Sequence, residues 1–137
     1  MSPPLGEYDL RVAVESERVT DVMLPRPKTL PSSATVRDVR AFFQNPHVMT
    51  ALLVDDGEFR GAIDRGDLPA AAPDGAGALE YAAADSPTIS PDAGVEDALK
   101  ALRGVASRRL VVLDADGARL LGLVCLNTTG TRFCTKP

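Results

Sequence analysis

Two stretches of this chain repeat one another in the same order. Leu52–Leu68, LLVDDGEFRGAIDRGDL, carries an apolar run into an acidic turn with glycine, Asp55-Asp56-Gly57. It continues through a second apolar stretch, Phe59 to Ile63, broken by Gly61, and ends on Asp64-Arg65-Gly66-Asp67. Leu110–Thr128, LVVLDADGARLLGLVCLNT, follows the same plan, with Asp114-Ala115-Asp116-Gly117 at the turn and Gly122 in the second stretch. Apolar runs flanking an Asp/Gly turn predict a β-hairpin. The first hairpin is expected to lead into a short helix over Gly66–Ala72.

The duplication reaches beyond the hairpins. Thr29 and Thr88, Val36 and Val95, and Val54 and Leu113 each stand 59 residues apart. Gly61 and Gly122 stand 61 apart, which places two extra residues in the loop region of the second hairpin. An ordered series at a nearly constant offset marks an internal repeat, and it constrains the fold more than any single element does. Each copy reads as a short helical piece (Val19–Met23, stopped by Pro25 and Pro27; Leu79–Ala84), a short extended piece (Thr29-Leu30; Thr88-Ile89), an amphipathic helix and the hairpin. Val36, Val39, Phe42 and Phe43 share one face of the first helix, and Val95, Ala98, Leu99, Leu102 and Val105 mark the second. Thr35-Val36-Arg37-Asp38 resembles a capping box with Asp38 in place of Glu, and Asn45-Pro46 ends that helix. The resulting layout is an N-terminal extension over 1–18, a first repeat over 19–72, a linker over 73–77, a second repeat over 78–128 and a tail over 129–137. In the extension, Tyr8-Leu10-Val12-Val14 alternates as a strand would, while the same region could extend a helix through Glu15–Val22.

A chain of 137 residues makes one compact unit or two small units sharing a core. The 15 basic and 19 acidic residues argue against nonspecific nucleic-acid binding, which depends on a basic surface. The N-terminus, MSPPLGEYDL, has neither a basic start nor an apolar core, so no signal peptide is read there, and no apolar run approaches a membrane span. Cys125 and Cys134 make neither a disulfide framework nor a metal motif. This predicts a reduced, cytoplasmic protein with Cys125 as a small core residue.

Catalytic and metal-binding signatures are missing from the sequence: it contains no GxSxG, P-loop or GxGxxG pattern. His47, the one histidine, reads as a loop residue. The aspartates of the two turns serve backbone conformation, and Arg65-Gly66-Asp67 is a coincidental match to a cell-attachment tripeptide. The expectation is a protein that is not an enzyme, binds no metal, and engages neither nucleic acid nor membrane.

Taken together, Val19-Thr20-Asp21-Val22-Met23, Thr29-Leu30-Pro31, Gly61-Ala62-Ile63-Asp64-Arg65-Gly66-Asp67-Leu68 and Arg108-Arg109-Leu110-Val111-Val112-Leu113-Asp114 resemble a tandem pair of CBS domains, the regulatory module named after cystathionine β-synthase. The resemblance spans roughly Val19 to Thr128. It implies an α/β (α+β) fold of two βαββα-like repeats packed by pseudo-twofold symmetry with clefts between them, commonly assembled as a homodimer. It also implies a regulatory or sensor module acting on a protein partner and binding AMP, ADP, ATP or S-adenosylmethionine in a cleft. The alternative is a dimerisation or scaffold module whose clefts have degenerated.

On that resemblance the ligand-binding candidates are Thr29, Leu30, Asp64 and Asp67 in the first repeat and Thr88, Ile89, Arg108, Arg109 and Thr128 in the second. Asp67 matches the family's ribose-binding aspartate, and a carboxylate can accept from both hydroxyls of a diol. Asp64 replaces the family's Thr/Ser, which removes a hydroxyl donor and would repel a phosphate. In the second repeat Cys125 takes the Thr/Ser position and Thr128 the Asp position. Arg108 and Arg109 stand where a phosphate-binding basic residue is common, and a guanidinium can clamp phosphate in bidentate fashion. The first-repeat counterpart, Met49-Thr50, lacks that character. The closing helix of the second repeat looks missing, and Tyr8–Val14 is expected to cover part of the surface it would leave.

Overall fold

In the computed structural model, residues 18–83, 86–105, 108–127 and 133 are described. The segment Tyr8–Val14 and the candidate Thr128 lie outside them. The elements are α1 (Val19–Val22), β1 (Leu24–Pro25), β2 (Thr29–Leu30), α2 (Val36–Phe42), β3 (Thr50–Asp55), β4 (Glu58–Asp64), 3₁₀ turns at Arg65–Asp67 and Ala78–Tyr81, β5 (Thr88–Ile89), α3 (Val95–Arg103), β6 (Arg109–Leu113) and β7 (Leu120–Cys125). They form a three-stranded sheet in the order β2-β3-β4 and a four-stranded sheet in the order β1-β7-β6-β5.

The chain divides into two compact units. One comprises Lys28–Ser86 and Ala118–Leu120. In it β2 runs parallel to β3, with Thr29 opposite Leu52, and β3 runs antiparallel to β4. The hairpin turns at Asp56 (φ 49°) and Gly57 (φ 82°), between the paired Asp55 and Glu58. Positive φ at both central residues is the type I′ geometry whose twist matches that of the strands, which explains the Asp-Gly sequence. The pairing slips between Leu53 and Val54, leaving Arg60 as the extra residue, and its Nε donates to Asp55 at 3.2 Å. Val39, Phe43, Ala51, Leu53, Ile63 and Ala78 build the core on one face.

Helix α2 begins as its sequence predicts. Asp38 N donates to Thr35 Oγ1 at 3.3 Å, and Thr35 N donates back to the Asp38 carboxylate at 2.9 Å. Two further N-terminal amides are satisfied by the linker: Val36 N donates to Ala76 O at 2.9 Å and Arg37 N to Asp74 O at 3.0 Å. Arg40 also pairs with Asp74. The Pro/Gly-rich stretch 73–77 is therefore a capping segment as well as a linker. No α-helix forms over Gly66–Ala72. Pro69 forces extended backbone on the residue before it, and Leu68 duly sits at φ −86°, ψ 113°, so only the 3₁₀ turn at Arg65–Asp67 survives.

The other unit takes in residues up to Pro27, Pro87–Gly117 and those from Leu121 onward. Its parallel pair β5–β6 sets Thr88 opposite Val111, reproducing the β2–β3 pair. Its core gathers Val19, Val95, Leu99, Leu102, Leu110, Val112, Val124, Leu126 and Phe133.

Each unit contains the short leading segment of the opposite copy. Val19 N donates to Ala93 O at 2.9 Å in one unit, and Ala78 N donates to Ala34 O at 2.8 Å in the other. Leu24 pairs with Leu123, and Ala83 pairs with Ala62. The two mid-strand glycines explain themselves here. A Cβ on Gly122 would stand 2.8 Å from Leu24 O, and one on Gly61 would stand 3.3 Å from Ala83 O. Each glycine lets the leading segment of the other copy lie directly on the strand.

Candidate functional site

Strand register gathers the first-repeat candidates at one end of the β2-β3-β4 sheet. Thr29 opens β2, Thr50 opens β3 and is paired with Asp64, and Asp64 closes β4 ahead of the turn that carries Asp67. Asp64 is half-buried, and its carboxylate accepts from Thr50 Oγ1 at 2.7 Å. Asp67 is exposed, and among the described residues its carboxylate has no partner. Thr29 is exposed and Leu30 half-buried. Of the two carboxylates, Asp67 is therefore the one whose lone pairs all remain open to a ligand.

Arg65 fixes this corner. Its backbone N donates to Met49 O at 2.8 Å. Its Nη2 reaches Phe43 O at 2.7 Å, Asn45 O at 2.8 Å and Val48 O at 2.6 Å, and its Nε also donates to Val48 O at 3.0 Å. The guanidinium carbon lies 4.9 Å from the centre of the Phe43 ring. One side chain thus ties the exit of α2 and the approach to β3 to the end of β4, holding the backbone between Asp64 and Asp67. Treating Arg65-Gly66-Asp67 only as a coincidental match to a cell-attachment tripeptide overlooked this anchoring role.

At the opposite end of β3, Asp55 accepts from Ser32 Oγ at 2.5 Å and from Ser32 N at 3.0 Å. These bonds, with the Arg60 guanidinium added, hold its carboxyl below the usual carboxylate range against the opposing effect of desolvation. Asp55 staples the β2–α2 connection to the hairpin and stands apart from the candidate corner.

The second-repeat candidates occupy the equivalent end of the other sheet. Thr88 and Ile89 form β5, and Arg109 opens β6 at the place Thr50 takes in the first repeat. Arg108 precedes it in the left-handed region at φ 54°. Its carbonyl accepts from Leu126 N at 2.9 Å, and its Nη1 donates to Asn127 O at 3.4 Å. Both arginines are half-buried. The structure thus brings Thr29, Leu30, Asp64 and Asp67 together in one unit and Thr88, Ile89, Arg108 and Arg109 in the other.

Cys125, which closes β7 at the place Asp64 takes in the first repeat, overturns the reduced-thiol expectation. It is 3% exposed and disulfide-bonded. The only other cysteine in the chain is Cys134, which lies outside the described residues. Next to Cys125, Leu126 forms an antiparallel bridge with Phe133. No hydroxyl or free thiol therefore stands at the Thr/Ser position of either repeat. Among the described residues, no group of three or more His, Cys, Asp or Glu side chains could hold a metal ion, and no helix is long and apolar enough to cross a membrane.

The comparisons with known proteins agree with this architecture. No curated protein matches the chain. Among solved structures, the CBS-pair protein CBSX2 from Arabidopsis thaliana is 23% identical over 80% of this chain and 89% of its own, with a TM-score of 0.71. CBSX2 in complex with AMP gives the same identity and TM-score over 84% of this chain and 92% of its own. The CBS domain of a bacterial CNNM/CorC family Mg2+ transporter in complex with ATP is 17% identical over 85% of this chain and 86% of its own, with a TM-score of 0.68. At such identities the likeness concerns the fold. The CBS domain family model matches residues 19–73 and again residues 79–127, most of the sequence, and this chain therefore belongs to the CBS domain family as a tandem pair.

Proposed function

We propose that this CBS pair is a regulatory module that senses an adenine nucleotide or a related adenosyl ligand and does no chemistry of its own. The observation that carries the reading is Asp67, an exposed carboxylate without a partner among the described residues, on a turn that Arg65 fixes at the end of the sheet. Its two oxygens suit the vicinal hydroxyls of a ribose. Thr29 and Leu30, at the same end, supply edge contacts. That CBSX2 and the CNNM/CorC CBS domain are known with AMP and ATP supports the ligand class.

Asp64 serves the site indirectly, since its carboxylate is taken up by Thr50. Arg108 and Arg109 are the cationic groups of the second repeat, suited to a phosphate. Signalling proceeds by population shift: the ligand favours one arrangement of the module and so changes the surface offered to a protein partner. We further propose that the module works as a homodimer in the cytoplasm, without nucleic acid or membrane.

One observation favours a second reading, a ligand-free dimerisation or scaffold module. The two Thr/Ser positions hold a carboxylate engaged by its neighbour and a disulfide-bonded cysteine.

A thermal-shift screen against AMP, ADP, ATP, adenosine and S-adenosylmethionine separates the two readings. A ligand at about 100 times its Kd stabilises the fold by ~2.7 kcal/mol, a rise of several degrees. A shift that disappears in Asp67→Ala supports the sensor. No shift with any of the five at millimolar concentration supports the scaffold.

A further inference from the structure

Arginines hold the turn that carries Asp67 from both sides. On its N-terminal side stands Arg65, whose guanidinium is taken up by the carbonyls of Phe43, Asn45 and Val48. On its C-terminal side the chain runs through an irregular stretch, Leu68-Pro69-Ala70-Ala71-Ala72-Pro73, to Asp74. Its two prolines have no amide proton to offer a neighbouring element. Inside the stretch, Ala72 N donates to Pro69 O at 3.1 Å, and Ala72 is buried.

Arg40, on α2, reaches across to this stretch. Its Nη2 donates to Pro69 O at 3.2 Å and to Ala70 O at 3.0 Å, and its Nη1 donates to the Asp74 carboxylate. Asp74 O in turn accepts from the backbone N of Arg37, one turn before Arg40, at 3.0 Å. A planar guanidinium bonds two carbonyls and a carboxylate from one pre-organised group, which an ammonium does not match. One side chain thus ties the backbone just beyond Asp67 to the helix.

We propose that Arg40 is a positioning residue for Asp67. With Arg65 it brackets the turn and holds the carboxylate in the arrangement that receives a ribose diol. The proposal rests on the nucleotide reading of Asp67. Arg40 acts through the backbone of Pro69 and Ala70 and leaves the contact with the ligand to Asp67. Without Arg40 the turn samples several conformations, and the ligand binds only the fraction in which the turn is in place. The apparent Kd then rises by the inverse of that fraction, so a turn in place about one-tenth of the time weakens binding about tenfold.

The test pairs 15N relaxation on the full chain without nucleotide with calorimetric titration of AMP. The wild type should give backbone order parameters near the rigid value of ~0.85 at Asp67 and Ala70, and Arg40→Ala should lower both below ~0.6. Arg40→Ala should also weaken AMP about tenfold while the stoichiometry stays near one. Val39→Ala serves as the control. Val39 is fully buried in the core beside Arg40, so its truncation should lower the melting temperature more than Arg40→Ala does. It should nevertheless leave the order at Asp67 and the AMP affinity unchanged.

Unchanged order parameters at Asp67 and Ala70 in Arg40→Ala would overturn the proposal whether or not AMP binds. Lost order with unchanged AMP affinity would overturn it too, as would an equal loss of affinity in Val39→Ala. Failure of AMP to bind the wild type counts against the nucleotide reading instead, and the relaxation comparison then still decides whether Arg40 holds the turn.

Discussion

Replacing Arg65 tests whether this side chain holds the candidate corner together. Its guanidinium donates four hydrogen bonds to three carbonyl oxygens, those of Phe43, Asn45 and Val48, and stands over the Phe43 ring. A hydrogen bond from a charged donor contributes about 1.5–3 kcal/mol net when buried, and a cation–π contact adds ~0.5–1 kcal/mol at a wet site. The four bonds do not simply add, because they share one rigid group and Arg65 is only half-buried. Water can also reach the exposed Asn45 once the arginine is gone. Arg65→Ala should therefore cost ~2–4 kcal/mol, or a melting temperature lower by about 6–12 °C for a chain of this size. Arg65→Lys should recover less than half of that, since an ammonium cannot span three carbonyls from one planar group. Phe43→Leu, which removes the ring face and keeps the carbonyl, should fall between wild type and Arg65→Ala. Urea unfolding followed by circular dichroism reads all three. A loss below ~0.5 kcal/mol for Arg65→Ala, or full recovery by lysine, would refute the account.

The glycines give an ordered pair. A Cβ at position 122 would meet Met23 Sδ at 2.6 Å and the backbone oxygen of Leu24 at 2.8 Å, whereas at position 61 the nearest atom is Ala82 Cβ at 3.0 Å. Gly122→Ala should therefore destabilise by ~1–3 kcal/mol and Gly61→Ala by less, measured by thermal unfolding. Leu102 is fully buried in the core of the second repeat, so Leu102→Ala should cost ~2–5 kcal/mol on the same assay. Asp55 has a folded pKa below its unfolded one, so its contribution is complete above the ordinary carboxylate range and is lost as the pH falls through the lowered folded value. Ser32→Ala should move the Asp55 carboxyl titration, followed by NMR, back toward the ordinary range, and an unmoved midpoint would sink the assignment.

What the sequence made legible was whatever repeats. Two hairpins, two helices and their offset followed from apolar spacing and from turn residues such as Asp56-Gly57, because local chemistry dictates those conformations. The capping box at Thr35 and Asp38 was readable for the same reason. Contacts between distant segments were not legible. The Thr50–Asp64 bond follows only once the hairpin register is known, and the register depends on the slip at Arg60. The Arg65 clamp needs the path of residues 43–49, and no pattern of single residues encodes it. The helix expected over Gly66–Ala72 failed because apolar content was weighed above the constraint Pro69 places on Leu68. Cys125 is the small core residue its apolar run predicts, but its thiol is bonded, because a disulfide joins positions that neither cysteine's local sequence relates.

The two copies have diverged unevenly, and the pattern bears on how many ligands one chain can take. Positions answering to the backbone are kept: Gly61 and Gly122 each admit a crossing segment, and Ala34 O and Ala93 O each receive an incoming amide. Few residue types satisfy such contacts, so both copies retain them. Positions that the nucleotide reading places at or beside the ligand have changed: Thr50 is answered by Arg109, Met49 by Arg108, and Asp64 by the disulfide-bonded Cys125. At Asp67 the second copy has Thr128, whose neutral hydroxyl is a weaker acceptor for a diol than a carboxylate. On the nucleotide reading, the second copy therefore does not repeat the site of the first, and one chain should bind one nucleotide. Isothermal titration with AMP should give a stoichiometry near one per chain, lost in Asp67→Ala and kept in Thr128→Ala. Two equivalent sites would show that the loss of both carboxylates from the second copy left the ligand chemistry untouched, and the distinction between the two copies would fail.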